Sequence, residues 1–118
     1  MMRPSAEMRV SLCREPVDFR KSIDGLSGLV EDEFALDPFS AQLFVFTNRR
    51  RDKIKILYWE RSGFVLWYKR LEKERFPWPV DTGEEVVTLT GRELNWLLDG
   101  LDLFRLRPHE NLRYAATS

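Results

Sequence analysis

Apolar residues recur along this chain with two periods, and the two periods divide it into strands and helices. Met8, Val10 and Leu12 alternate with Arg9 and Ser11, which predicts a short strand over Met8–Cys13 with one buried face. Phe19, Ile23, Leu26, Val30 and Phe34 follow at helical spacing, with Leu29 at the edge of the stripe. Asp18 precedes them and is a residue type that caps a helix by accepting from free backbone N–H groups. Gly25 and Gly28 fall inside this helix, each costing up to about 1 kcal/mol relative to alanine, so close packing on a sheet is the expected compensation. Glu31-Asp32-Glu33 opposes the helix dipole at the far end and predicts early fraying. Asp37-Pro38 places a loop over 35–42, because a residue before proline avoids the helical region.

Leu43–Thr47 reads as a second strand and Asn48–Asp52 as a charged turn. Two aromatic-rich runs follow, one ending at Trp59 and one over Phe64–Tyr68, separated by Glu60-Arg61-Ser62-Gly63. This spacing predicts a β-hairpin, with Ser62-Gly63 supplying the positive φ of its turn. Period two sets Ile54, Ile56 and Tyr58 on one face of the third strand, and Lys53, Lys55, Leu57 and Trp59 on the other. In the fourth strand Phe64, Leu66 and Tyr68 share a face, and Val65, Trp67 and Lys69 share the other. One face is expected to combine Lys53, Lys55, Trp59, Trp67 and Lys69. Phe76-Pro77-Trp78-Pro79 cannot continue a central strand and reads as an extended crossing segment with Trp78 at the core edge. A turn at Asp81–Glu84 and a short strand over Glu85–Leu89 lead into Thr90-Gly91-Arg92-Glu93, a capping box. Leu94, Leu97, Leu98 and Leu101 form one helical stripe, which Gly100 is placed to stop. The fold class expected is α+β: an antiparallel β-meander sheet, one long helix packed on a face, and a short C-terminal helix.

With 118 residues the chain is read as a single domain over 1–118, with flexible ends at 1–7 and about 108–118. Its net charge is zero, but the charge is uneven. Residues 49–75 hold ten Lys/Arg against four Asp/Glu, while the segments on either side are each acidic by three. Such asymmetry is an electrostatic footprint for a polyanion, and the rival reading is an ordinary solvated surface. Overall neutrality argues against a general DNA-coating protein. The lone cysteine, Cys13, has no disulfide or zinc partner and lies in an apolar stretch that suits packing. The opening residues lack a signal-peptide core, and no apolar run reaches the roughly 18–20 residues of a membrane span, so a soluble, cytoplasmic protein is expected.

Catalytic equipment is sparse. His109 is the only histidine and follows Pro108 in the polar tail. No Gly-rich loop precedes a Lys-Ser/Thr pair. Asp18 with Asp24, and Asp99 with Asp102, are candidate Mg²⁺ carboxylates, with capped or exposed helix ends as the plainer reading. The expectation is no enzyme, no metal and no cofactor. The cations instead point to phosphate contact. Arg49, Arg50 and Arg51 would bind from the turn, Lys53, Lys55, Lys69 and Arg70 would extend the track, and Arg20-Lys21 would join it. Trp59 and Trp67 beside lysines suit stacking or partner binding; the alternative is tryptophans buried under lysine stems.

The order of motifs also resembles a known family, the small TnpB-type accessory protein of insertion sequence 66 transposons. The resemblance rests on Asp18-Phe19-Arg20-Lys21-Ser22-Ile23-Asp24-Gly25-Leu26, Asp37-Pro38-Phe39-Ser40 and the run Leu43–Arg50. It continues through Asp52–Glu60, Gly63-Phe64, Tyr68–Glu72, Phe76-Pro77-Trp78-Pro79 and the leucine-rich helix from Leu94. It covers about residues 8–107, departing at Ser22, where the family pattern has glycine, and at the acidic Glu31-Asp32-Glu33. It implies a transposition accessory factor encoded beside a transposase, with that transposase and DNA as partners and no known catalytic step. The alternative is a pure protein–protein interaction module of the transposition complex.

Overall fold

The structure, a computed structural model, describes residues 3–79 and 83–105. The elements in chain order are β1 (Arg9–Cys13), α1 (Ile23–Asp32), β2 (Gln42–Thr47), β3 (Lys53–Glu60), β4 (Gly63–Arg70), β5 (Val86–Thr90) and α2 (Gly91–Leu98). The five strands form one sheet in the order β4-β3-β2-β1-β5.

The sheet is mixed, which corrects the expected antiparallel meander. β1 runs parallel to β2, whereas β2–β3, β3–β4 and β1–β5 are antiparallel. A parallel neighbour needs a crossover rather than a tight turn, and the segment carrying α1 supplies it. The helix expected to be long is ten residues and begins at Ile23. Asp18 does not cap it. Its carboxylate accepts from the Arg20 backbone N–H (2.9 Å) and from the Arg20 guanidinium (2.6–3.1 Å), which closes a local turn in front of the helix. Ser22 occupies the N-cap position and makes no side-chain cap bond. At the other end Ala35 turns left-handed (φ 53°), and the Leu36 N–H reaches back to the Val30 carbonyl at 3.0 Å.

Two separate cores cover the two faces. On one face Val10, Leu12, Leu43, Val45, Ile54 and Ile56 pack with Leu94, Leu97 and Leu98 of α2, together with Phe76 and Trp78. On the other, Cys13, Phe44, Phe46 and Leu57 pack with Leu26 and Val30 of α1. The helices therefore lie on opposite sides, and β1 is covered on both, not on one face as its alternation suggested. Trp78 is buried and donates its indole N–H to the Arg14 carbonyl at 3.0 Å. The capping box of α2 forms as expected, with Glu93 N–H on the Thr90 hydroxyl and Thr90 N–H on the Glu93 carboxylate.

Residues 3–8 run along α2 from its C-terminal end to its start. Arg3 meets Asp99 at 2.8 Å, the Pro4 carbonyl accepts from Asn95, and the Gly91 N–H donates to the Met8 carbonyl at 2.7 Å. A Cβ on Gly91 would overlap the Ser5 carbonyl oxygen, so only glycine fits this approach. The expectations for Asp81, Thr82, His109 and the polar tail lie outside the described residues.

Candidate nucleic-acid interface

The hairpin register decides which basic side chains can act together. β3 and β4 pair Glu60 with Gly63, Trp59 with Phe64, Leu57 with Leu66, Lys55 with Tyr68 and Lys53 with Arg70. Residues directly opposite in a ladder share a face. Lys53, Lys55, Trp59, Phe64, Tyr68 and Arg70 thus lie on the α1 side, while Trp67 and Lys69 lie on the α2 side. This overturns the single face expected to hold Lys53, Lys55, Trp59, Trp67 and Lys69. The turn also differs: Arg61, not Gly63, takes the left-handed conformation, at φ 59°.

On the α1 side the base of the hairpin is cationic. Lys53 and Arg70 are direct cross-strand neighbours. A concavity of about 300 Å³ beside them is lined by Phe19, Lys53, Lys55 and Tyr68. The loop before α1 closes over its edge, because the Lys55 Nζ donates to the carbonyls of Phe19 and Lys21 at 2.8 Å each. The same ammonium stands 4.8 Å from the centroid of the Phe19 ring. Burial pushes the Lys55 pKa down. Lys55 is thereby a clamp between β3 and the loop, and the loop brings Arg20 and Lys21 to the cationic base. Arg20 is exposed but held bidentate by Asp18, and its guanidinium and backbone N–H push the Asp18 carboxyl down to about 2.

The three turn arginines are not equivalent. Arg49 and Arg50 are exposed, and Arg50 has only a long contact (3.7 Å) to Asp52. Arg51 sits at φ 61°, half-buried, with its Nε sealed from solvent and without a hydrogen-bond partner. Its carbonyl accepts the Phe76 N–H at 2.7 Å, which fixes the chain after β4 to the turn. Asn48 completes the turn by accepting from the Lys53 N–H and donating to the Asp52 carboxylate, the latter bond lowering the Asp52 pKa. Arg70 meets Glu72 at 3.0 Å at the exposed surface, a pair worth little in water. Among the described residues Arg49, Lys53 and Lys21 form no ion pair. Lys69 stands apart on the other face, 3.4 Å from the Leu98 carbonyl at the end of α2.

The tryptophans separate as well. Trp67 packs against the α2-side core. Trp59 joins Phe39 and Phe64 near the hairpin tip, with ring centroids 5.0–5.2 Å apart, and Phe39 is 54% exposed. Sequence periodicity missed Phe19, Tyr68 and Phe39 as site residues. Tyr68 could have been found by counting through a two-residue turn, but Phe39 lies in a loop without a period. Asp18, Asp99 and Asp102 each pair with an arginine, and no group of three metal-ligating side chains stands together among the described residues. No helix among them is long and apolar enough to cross a membrane.

Fold and site together define a small mixed-sheet α+β domain with a basic hairpin base and an aromatic hairpin tip. The chain belongs to the family of IS66 Orf2-like proteins, whose match spans residues 8–108. Two Sinorhizobium fredii proteins are similar to it. Uncharacterized protein y4jC is 34% identical over 107 residues, covering 91% of each chain. Uncharacterized protein y4hO is 31% identical over 102 residues, covering 86% of this chain and 88% of that one. No solved structure matches. Family membership associates the protein with the transposition machinery of IS66-type elements.

Proposed function

We propose that the protein is a non-enzymatic accessory factor of IS66-type transposition that grips the DNA backbone through the base of its hairpin. The observation that carries this is the Lys53–Arg70 cross-strand pair beside the exposed Arg49 and Arg50. Like charges directly opposite in a ladder destabilise a sheet on their own, and a bound phosphate offsets that cost. The loop held by Lys55 adds Lys21, with Arg20 available in exchange for its bond to Asp18. Arginine suits bidentate phosphate contact and lysine supplies a point charge.

Four contacts, from Arg49, Arg50, Lys53 and Arg70, give an expected salt slope of about −3.6 on duplex DNA. Titration of element-end DNA at two salt concentrations measures it. Changing Arg49, Arg50 and Lys53 to Ala should bring the slope to about −1, since each phosphate contributes about 0.9. The second reading, docking on the transposase without DNA contact, draws on the exposed Phe39 beside Trp59 and Phe64, because aromatic residues are favoured at protein interfaces. Absence of DNA binding at low salt, together with capture of the transposase, would select it.

A further inference from the structure

β4 is an edge strand. Among the described residues its one strand neighbour is β3, and none of its eight residues is fully buried. It contains no proline, and its pairing with β3 runs without a bulge from Gly63 to Arg70. Proteins normally blunt such an edge, since its free N–H and C=O groups are a template for another strand. We propose that β4 pairs antiparallel with β4 of a second copy of this chain, centred on Leu66, so that two sheets join into one.

The register follows from side chains on both faces. A two-fold axis through Leu66 sets Phe64 opposite the second copy's Tyr68, Val65 opposite its Trp67, and Gly63 opposite its Lys69. On the α1 side this extends the row Trp59–Phe64 with a Tyr68 ring. It brings the Phe39–Trp59–Phe64 cluster of one copy against the Phe19–Tyr68 pair of the other. Phe39 and Tyr68, exposed by 54% and 51%, are covered by the same contact. On the α2 side Gly63 is paired with Glu60. Nothing lies within 4 Å of a Cβ built on Gly63, and Glu60 is exposed and in no ion pair among the described residues. Once it leaves its 3.4 Å contact with its own Leu98 carbonyl, the second copy's Lys69 faces Glu60 across a residue with no side chain, and the symmetry makes this ion pair twice. Moving the axis to Trp67 sets Phe64 opposite Arg70 and Val65 opposite Lys69, which loses both the aromatic and the charge match. The two-residue turn also fits. With Glu60 and Gly63 as its closing pair, ladder alternation aims the backbone groups of Phe64, Leu66 and Tyr68 at the open edge.

Sedimentation equilibrium on the full chain, from about 1 to about 300 µM, tests this, because a dimer is stabilised by concentration. The expected result is a shift from the 14.0 kDa chain mass to twice that mass. Tyr68→Lys, at a half-exposed position, should weaken the dimer at least tenfold while the melting curve stays cooperative. Glu60→Lys and Lys69→Glu should each weaken it about three- to tenfold, and the two together should restore it. A single-chain mass at every concentration overturns the proposal. So does a dimer that Tyr68→Lys leaves unchanged, or one that the double reversal weakens further.

Discussion

Lys55 separates scaffold from contact. Both it and Lys53 belong to the basic strand, yet Lys55 alone spans to another segment. Lys55→Met keeps the stem and removes the ammonium, and with it two hydrogen bonds of 2.8 Å and the contact with the Phe19 ring. Hydrogen bonds to a charged group contribute roughly 1.5–3 kcal/mol each when well sheltered. Here the ammonium is only half-buried, and the burial that depresses its pKa offsets part of the gain. With about 0.5 kcal/mol for the cation over the ring, a net loss of about 2 kcal/mol is expected. For 118 residues the unfolding entropy is about 0.25 kcal/mol/K, so the melting temperature should fall about 8 °C. Lys53→Met should leave stability within about 0.5 kcal/mol of the parent. It should instead remove one phosphate from the DNA salt slope, about 0.9. Calorimetry and DNA titration at a temperature where both variants are folded measure the two effects. If Lys55→Met melts with the parent and loses a phosphate from the slope, Lys55 is a contact and the clamp does not exist.

Two further outcomes rest on packing and burial. Gly91→Ala drives a methyl into the Ser5 carbonyl and displaces the strap over α2, with the Gly91–Met8 and Arg92–Ala6 hydrogen bonds. A loss of about 2–4 kcal/mol in urea unfolding is expected. Gly28→Ala, with nothing within 4 Å of its Cβ and a helical backbone, should gain up to about 1 kcal/mol, so the same change has opposite signs at the two sites. The Cys13 thiol is pushed up from 9.0 to about 12, first by burial. Above pH 9.0 the unfolded chain loses a proton that the folded chain keeps, so stability falls as pH rises toward 12. Urea midpoints at about pH 8 and about pH 10 should show a larger fall in the parent than in Cys13→Ala, where Tyr58 and Lys55 still titrate.

Strand positions and the α2 capping box were legible in the sequence because each is set within a few residues. The mixed topology was not read, although its signal was present. β1 and β2 flank a helical stripe, and a strand–helix–strand run is the pattern of a parallel crossover. The start of α1 was misplaced because Asp18 has two local partners to choose between. Its carboxylate satisfies the Arg20 N–H and guanidinium, and the helix waits until Ile23. β1 hid its second buried face because Ser11 and Cys13 are small and carry no strong apolar signal. Ser11 is 7% exposed and Cys13 5%.

The candidate site was distorted by parity, not by periodicity. Alternation within β3 and within β4 was assigned correctly, residue by residue. What joins the two sets is the length of the turn. Arg61-Ser62 is a two-residue turn, so odd-numbered residues of β3 oppose even-numbered residues of β4. Grouping Lys53 and Lys55 with Lys69 therefore placed a cation on the wrong side of the sheet, and the true neighbours of Lys53 and Lys55 are Arg70 and Tyr68. The chemistry changes with the grouping. Leaving Lys69 out puts the proposed contacts at Arg49, Arg50, Lys53 and Arg70, with a slope of about −3.6. A measured slope well beyond this, about −5.4, would mean that the loop cations Arg20 and Lys21 reach phosphate as well, and that the Arg20–Asp18 pair gives way to DNA.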